Sequence, residues 1–139
     1  MPNPKGVVID TNLLVRYLTL DDPEKADAVE SLLNKAGSGE LYILIPSIVI
    51  AELVWVLESF YKMEPVTISE LVESVLNTPG LEVDEKESIF AICKTYRNKK
   101  IDFIDAWIIE FAKKNKINTV YSFDKKHFKN LKDIVVKQP

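Results

Sequence analysis

Hydrophobic positions along this chain alternate between short continuous runs and helical spacing, and the alternation sketches the fold. Val7-Val8-Ile9, bounded by Gly6, is a β-branched run of strand type, and Leu13, Leu14, Tyr17 and Leu18 then recur at the spacing of one helix face. Asp10 falls between the two, at the carboxyl end of the strand. Asp22-Pro23-Glu24 sets an N-cap before a proline at the first helical position, so a second helix begins there and stops near Gly37-Ser38-Gly39. Leu41 to Ile45 form another apolar strand ending at Pro46, and Ser47 caps an apolar helix running through Leu57 in which Glu52 is the one charged residue.

The second half repeats the pattern. Thr67 and Glu70 have capping-box spacing for a helix reaching about Asn77, followed by the turn Thr78-Pro79-Gly80 and the short strand Leu81-Glu82-Val83. Asp84 with Glu87 opens a helix toward Arg97. Asp102-Phe103-Ile104-Asp105 leads into an apolar helix whose basic end, Lys113-Lys114-Asn115-Lys116, complements the helix dipole. Thr119-Val120-Tyr121 is a buried strand running into Ser122-Phe123-Asp124, and Ile134-Val135-Val136 is the last. Strands alternate with helices, and the runs at 7–9 and 41–45 are too apolar to expose a face. The pattern therefore predicts an α/β fold with a parallel sheet covered on both sides.

At 139 residues and 47% hydrophobic composition the chain reads as one globular domain over 1–139. No run approaches the roughly 18 uninterrupted apolar residues of a membrane span, and Met1-Pro2-Asn3-Pro4-Lys5 has no secretory core, so a cytoplasmic location is expected. The single cysteine, Cys93, lies among Phe90, Ala91 and Ile92 as a small core residue. Net charge is −3, but the halves differ: residues 1–93 hold 6 Lys and Arg against 16 Asp and Glu, and residues 94–139 hold 12 against 5. A basic C-terminal part could attract phosphate, as nucleic-acid binders do, although each lysine singly is also what a solvated helix face carries.

Four carboxylates resist a purely structural reading. Glu52 has Ile48, Val49, Trp55 and Val56 as its helical neighbours, and an unpaired buried carboxylate costs several kcal/mol, so it needs a distant cation, a proton or a metal. Asp10 is either an N-cap or a ligand at the strand edge where α/β proteins bind substrates. Asp102 and Asp105, three apart, share one face at a helix start; Asp102 is the expected cap, leaving Asp105 in the first turn. Asp124 follows a strand as Asp10 does, and is otherwise a turn residue. If these converge, a hard divalent ion is the natural neutraliser. One histidine, His127, and one cysteine favour neither a zinc site nor a Ser-His-Asp triad.

The segments VVIDTNLLVRYL, SIVIAELVWVL, IDFIDAWIIEFAKK and TVYSFDKKHF, in this order and spanning nearly the whole chain, resemble the acidic motifs of PIN-domain ribonucleases, especially VapC-type toxins. The resemblance implies a three-layer α/β/α fold with a central parallel sheet of four or five strands. It also implies a quartet of Asp10, Glu52, Asp105 and Asp124, with Asp102 as an auxiliary metal-binding carboxylate and Thr11, Asn12 and Ser122 as supporting hydrogen-bonders. Mg²⁺ or Mn²⁺, an RNA substrate, a homodimer and a protein antitoxin are the expected cofactors and partners. Ser122 stands where the family usually has threonine, and Trp107 and Glu110 occupy a helix usually richer in small residues.

The expected chemistry is metal-assisted hydrolysis of RNA phosphodiesters by an endoribonuclease, with Arg16, Lys125 and Lys126 as candidate phosphate contacts. Arg16 reads equally well as a surface ion pair. Two rivals have other signatures. A haloacid-dehalogenase-type phosphatase would use Asp10 as nucleophile but normally needs a second aspartate where this chain has Asn12, and a non-catalytic PIN-fold RNA-binding or scaffold module would bind RNA without turnover.

Overall fold

The computed structural model describes residues 5–124, 128 and 131–139. The chain divides into two compact units, Met1–Lys86 and Glu87–Pro139. In the first, β1 (Lys5–Val8), α1 (Thr11–Thr19), α2 (Pro23–Gly37), β2 (Leu41–Ile45), α3 (Ser47–Ser59), α4 (Pro65–Leu76) and β3 (Leu81–Val83) follow one another as two strand–helix–helix–strand crossovers. The strands pair in parallel in the order β1-β2-β3, with Val7 opposite Ile43, Ile43 opposite Leu81 and Ile45 opposite Val83.

That register puts Ile43, Ile45, Leu81 and Val83 in one buried row, while α2 contacts β2 and β3 and α4 contacts β3. Ile50, Leu53 and Leu57 of α3, Leu14 of α1 and Ile68 and Leu76 of α4 are also fully buried, each contributing about 1.5–3 kcal/mol of transfer free energy. The opposite row, Val8, Leu44 and Glu82, is exposed, with Val8 at 65%. Within this unit the helices cover one face of the sheet, and the side chains alternate between that face and the other.

Local signals set most element ends. Asp22 Oδ1 accepts the Lys25 N–H at 3.1 Å, capping α2 as its spacing requires. Gly80 closes the turn before β3 at φ +84°, where a Cβ would overlap the Ala36 carbonyl, so the position demands glycine on two counts. Three helix starts differ from expectation by a residue or two, one of them the helix expected to open at Asp84, which begins at Lys86. Pro46, not Ser47, is the N-cap of α3, and α4 begins at Pro65, ahead of Thr67, because proline at the first helical position is already set to a helical φ.

The second unit contains most of α5 (Lys86–Lys99), then α6 (Phe103–Lys114), β4 (Thr119–Tyr121) and β5 (Val135–Lys137). β4 and β5 pair in parallel, Val120 opposite Val136. Ile109, Ala112, Phe128 and Ile134 form a core flanked by Ile101, Val120, Leu131 and Val136. Phe103 stacks edge-on against Tyr96 at 5.2 Å and Trp107 at 5.9 Å, which accounts for an aromatic residue at 107. Cys93 is buried, as expected of a small core residue. The fold is thus α/β, and among the described residues the strands form two sheets, each internally parallel: three strands in the first unit and two in the second, where one central sheet was expected. Among the described residues no helix is long and apolar enough to cross a membrane.

Candidate active site

β1 ends at Val8, and buried Ile9 carries the chain into α1 through Asp10, whose extended backbone (φ −96°, ψ 176°) occupies the N-cap position. Its carboxylate makes no capping bond. Asp10 is exposed and lines a cavity of about 360 Å³ together with Thr11, Asn12 and Arg16. α1 packs against α3, and α3 completes the cavity wall with Glu52 and Val56, one turn apart, and then Phe60 just beyond the helix.

The position of Glu52 corrects its expected burial. The helix buries Val49, Ile50, Leu53, Val54 and Leu57, and leaves Ile48 (74% exposed) and Trp55 (65%) outward alongside Glu52. Glu52 therefore carries little of the desolvation penalty a core position would impose. Among the described residues neither the Asp10 nor the Glu52 carboxylate has a hydrogen bond or an ion pair with a cation. The cation in the cavity, Arg16, is engaged elsewhere: its Nη1 donates to Asp21 Oδ1 at 3.3 Å.

Asp21 is a residue that sequence reasoning missed. The Tyr61 hydroxyl donates to its Oδ2 at 2.6 Å, and Thr19 Oγ1 lies 3.1 Å from its Oδ1. The Tyr61 hydrogen bond, with smaller help from Thr19 and Arg16 against the opposing effect of burial, holds the Asp21 carboxyl below its ordinary 3.8. Phe60 and Tyr61 line the same cavity and were missed as well. The signal for Phe60 was present: Glu52, Val56 and Phe60 recur every fourth residue along one stripe. A second cavity of about 480 Å³ adjoins Asp10, Asn12 and Arg16 and is walled by Ala28, Val29 and Leu32 of α2.

In the second unit Asp102 is the N-cap of α6, as expected, again without a side-chain capping bond. Asp105 lies in the first turn, half-buried, with Oδ2 shielded from solvent. Ser122 Oγ accepts the Asp124 N–H at 3.0 Å just after β4, so the hydroxyl organises the backbone that presents the exposed Asp124. Lys125, Lys126 and His127 lie outside the described residues. Glu110 accepts from Thr95 at 3.1 Å and pairs with Lys113 at 3.3 Å, giving it a structural role. Near the ends of α5 and α6, Lys99, Lys113 and Lys132 line a cavity of about 120 Å³ with Asp133.

Asp10, Thr11, Asn12, Arg16 and Glu52 thus meet at one cavity in the first unit, and Asp102 and Asp105 share one helix start in the second. Among the described residues no group of three or more Asp, Glu, His or Cys side chains is arranged to hold an ion. Two uncompensated carboxylates still suit a hard cation, because magnesium commonly takes one or two carboxylates and completes its octahedron with water and substrate phosphate. No soft ligand lines that cavity to favour zinc.

The PIN domain family model matches residues 7–134. A curated relative, the VapC ribonuclease of Aquifex aeolicus (strain VF5), is 33% identical over 124 residues, covering 89% of this chain and 90% of that protein. The chain belongs to the PIN-domain family.

Proposed function

We propose that this protein is a metal-dependent endoribonuclease that hydrolyses RNA phosphodiester bonds in the cytoplasm as the toxin of a VapBC-type pair. The observation that carries the proposal is the cavity where Asp10 and Glu52 stand together without a cationic partner, in a chain of this family. The family match runs across both units, which supports reading residues 1–139 as one PIN domain. In this reading Asp10, Glu52, Asp105 and Asp124 hold Mg²⁺ or Mn²⁺, Asp102 assists, Thr11 and Asn12 line the cavity as supporting polar groups, and Ser122 holds the backbone at Asp124. That the Aquifex relative is named a ribonuclease supports RNA as substrate. A protein antitoxin and a homodimer complete the proposal.

When bound, the ion supplies an activated water and neutralises charge on the departing oxygen. The chain's own residues do the remaining work. The Asp10 and Glu52 carboxylates line the cavity as acceptors that no donor among the described residues occupies. The N-terminus of α1 adds a positive backbone field beside Asp10. Arg16, fixed through Asp21, and Lys125 and Lys126 after Asp124 take phosphate oxygens and position the strand.

The test compares RNA cleavage by wild type, Asp10→Asn and Glu52→Gln with Mn²⁺ or Mg²⁺, alongside thermal melts with and without the ion. Wild type should cleave, both variants should lose turnover, and saturating metal at about 100 times Kd should stabilise wild type by about 2.7 kcal/mol and the double variant far less. Equal cleavage by all three proteins overturns the assignment. RNA binding with no turnover in either metal selects a non-catalytic PIN-fold module instead.

A further inference from the structure

We infer that Phe60 is the base-stacking residue of a nucleotide subsite in the Asp10–Glu52 cavity, and that Tyr61 and Asp21 are positioning residues that hold Arg16 for the phosphate of that nucleotide. The inference rests on the ribonuclease reading and adds to it the residues that grip the substrate. Phe60 is 75% exposed, an unusual state for a ring that nothing on its own unit covers, and it lines the cavity that also contains two carboxylates and a guanidinium.

The ring is exposed without being loose. The Phe60 N–H donates to the Val56 carbonyl at 2.9 Å, and the Met63 N–H donates to the Leu57 carbonyl at 3.0 Å across a left-handed Lys62, so the backbone that presents it is tied to α3. Tyr61 packs edge-on against Phe60 with centroids 4.9 Å apart and planes at 70°. The Tyr61 hydroxyl is at the same time bonded to Asp21, which receives Arg16. Ring and guanidinium are therefore placed by one connected set of contacts.

The chemistry of the cavity selects its occupant. A purely apolar partner side chain over Phe60 would strip water from Arg16, Asp10 and Glu52 with nothing to replace it. A nucleotide meets the ring and the guanidinium together: a base offers a π-face to Phe60, and its phosphate offers oxygens to the donors of Arg16 that Asp21 leaves unused. Among the described residues Asp21 is the one partner of Arg16, so most of the guanidinium fork remains for that phosphate. A volume near 360 Å³ lies in the range of small-ligand pockets, roughly 300–1,000 Å³.

The experiment measures binding of the full chain, by fluorescence anisotropy with calcium in place of magnesium, to a short random-sequence single-stranded RNA and to an abasic chain of equal length. Phe60→Ala should weaken binding of the base-bearing RNA by roughly 5- to 100-fold and leave the abasic chain unchanged, and Phe60→Trp should restore the difference. Tyr61→Phe should weaken both ligands alike while keeping the contrast between them, since it loosens Arg16 and leaves the stacking ring in place. Equal loss on both ligands for Phe60→Ala, no loss on either, or no binding of either RNA by wild type overturns the inference. If wild type cleaves no RNA yet the base-dependent contrast holds, the subsite stands and the nuclease reading falls. If Asp10→Asn abolishes cleavage but Phe60→Ala shows no contrast, the subsite alone falls.

Discussion

On the proposed ribonuclease reading, replacing Lys99 and Lys132 with alanine should flatten the salt dependence of RNA binding by an amount that follows from their ion pairing. Three lysines line the small cavity near the ends of α5 and α6, but they are not equivalent. Lys113 lies 3.3 Å from Glu110 Oε2, so part of its charge is already answered; Lys99 and Lys132 have no ion-pair partner among the described residues. Each phosphate neutralised on a single strand contributes about 0.7 to the slope of log K against log salt, so losing both should lower the slope by about 1.4. Between about 50 and 200 mM monovalent salt, wild type should then lose about sevenfold more affinity than the double variant. Anisotropy titrations across that range give both slopes directly. Exposed lysines contribute within about 0.5 kcal/mol to folding, so the variant should melt as wild type does. If the slopes coincide, these lysines are solvated helix ends and the basic C-terminal unit does not grip RNA there.

Tyr61→Phe should raise the Asp21 pKa toward the ordinary 3.8, because the hydroxyl is the largest cause of its depression. The sign follows from that depression: Asp21 contributes stability that is present above 3.8 and lost as pH falls through its lowered folded value, so the variant should lose it at higher pH. Carboxyl ¹³C titration by NMR reads the shift, and an unmoved titration refutes it. Gly80→Ala and Gly39→Ala form a matched pair. Both positions have φ above +80°, but a Cβ at 80 overlaps the Ala36 carbonyl whereas a Cβ at 39 meets open space. Urea unfolding should show a cost of about 1 kcal/mol at Gly39 from backbone strain alone and about 2–4 kcal/mol at Gly80, where overlap adds to it. Equal losses would mean that the contact with α2 does not matter.

What could be read from the sequence was what neighbouring residues determine. The order of strands and helices, the Asp22 cap, the proline stops and the glycine turn at 80 all depend on a few adjacent residues, and each appears where it was expected. Glu52 was misjudged because an apolar sequence neighbourhood was taken for an apolar spatial one. α3 carries hydrophobic residues on every side, and only tertiary packing decides that Leu53 is buried while Ile48 and Trp55 are not. Asp21 and Tyr61 were invisible for a different reason. Their hydrogen bond spans 40 positions and exists because α1 packs on α3, a relation no local spacing encodes.

The three helix-starting aspartates are a physical argument for which carboxylates are structural. Asp22, Asp10 and Asp102 all occupy N-cap positions in extended backbone, the conformation in which a side-chain oxygen can reach the first-turn N–H groups. Asp22 makes that bond; Asp10 and Asp102 do not. A capping aspartate stabilises its helix by about 1 kcal/mol, so two helices forgo a stabilisation that their own sequence offers. Such concessions concentrate where a side chain has another use. Sequence spacing could not separate the two kinds, because all three residues stand in the same local pattern; the direction of the carboxylate separates them. It leaves Asp10 and Asp102 with open oxygens at the starts of α1 and α6, the same two helices whose first turns the acidic motifs occupy.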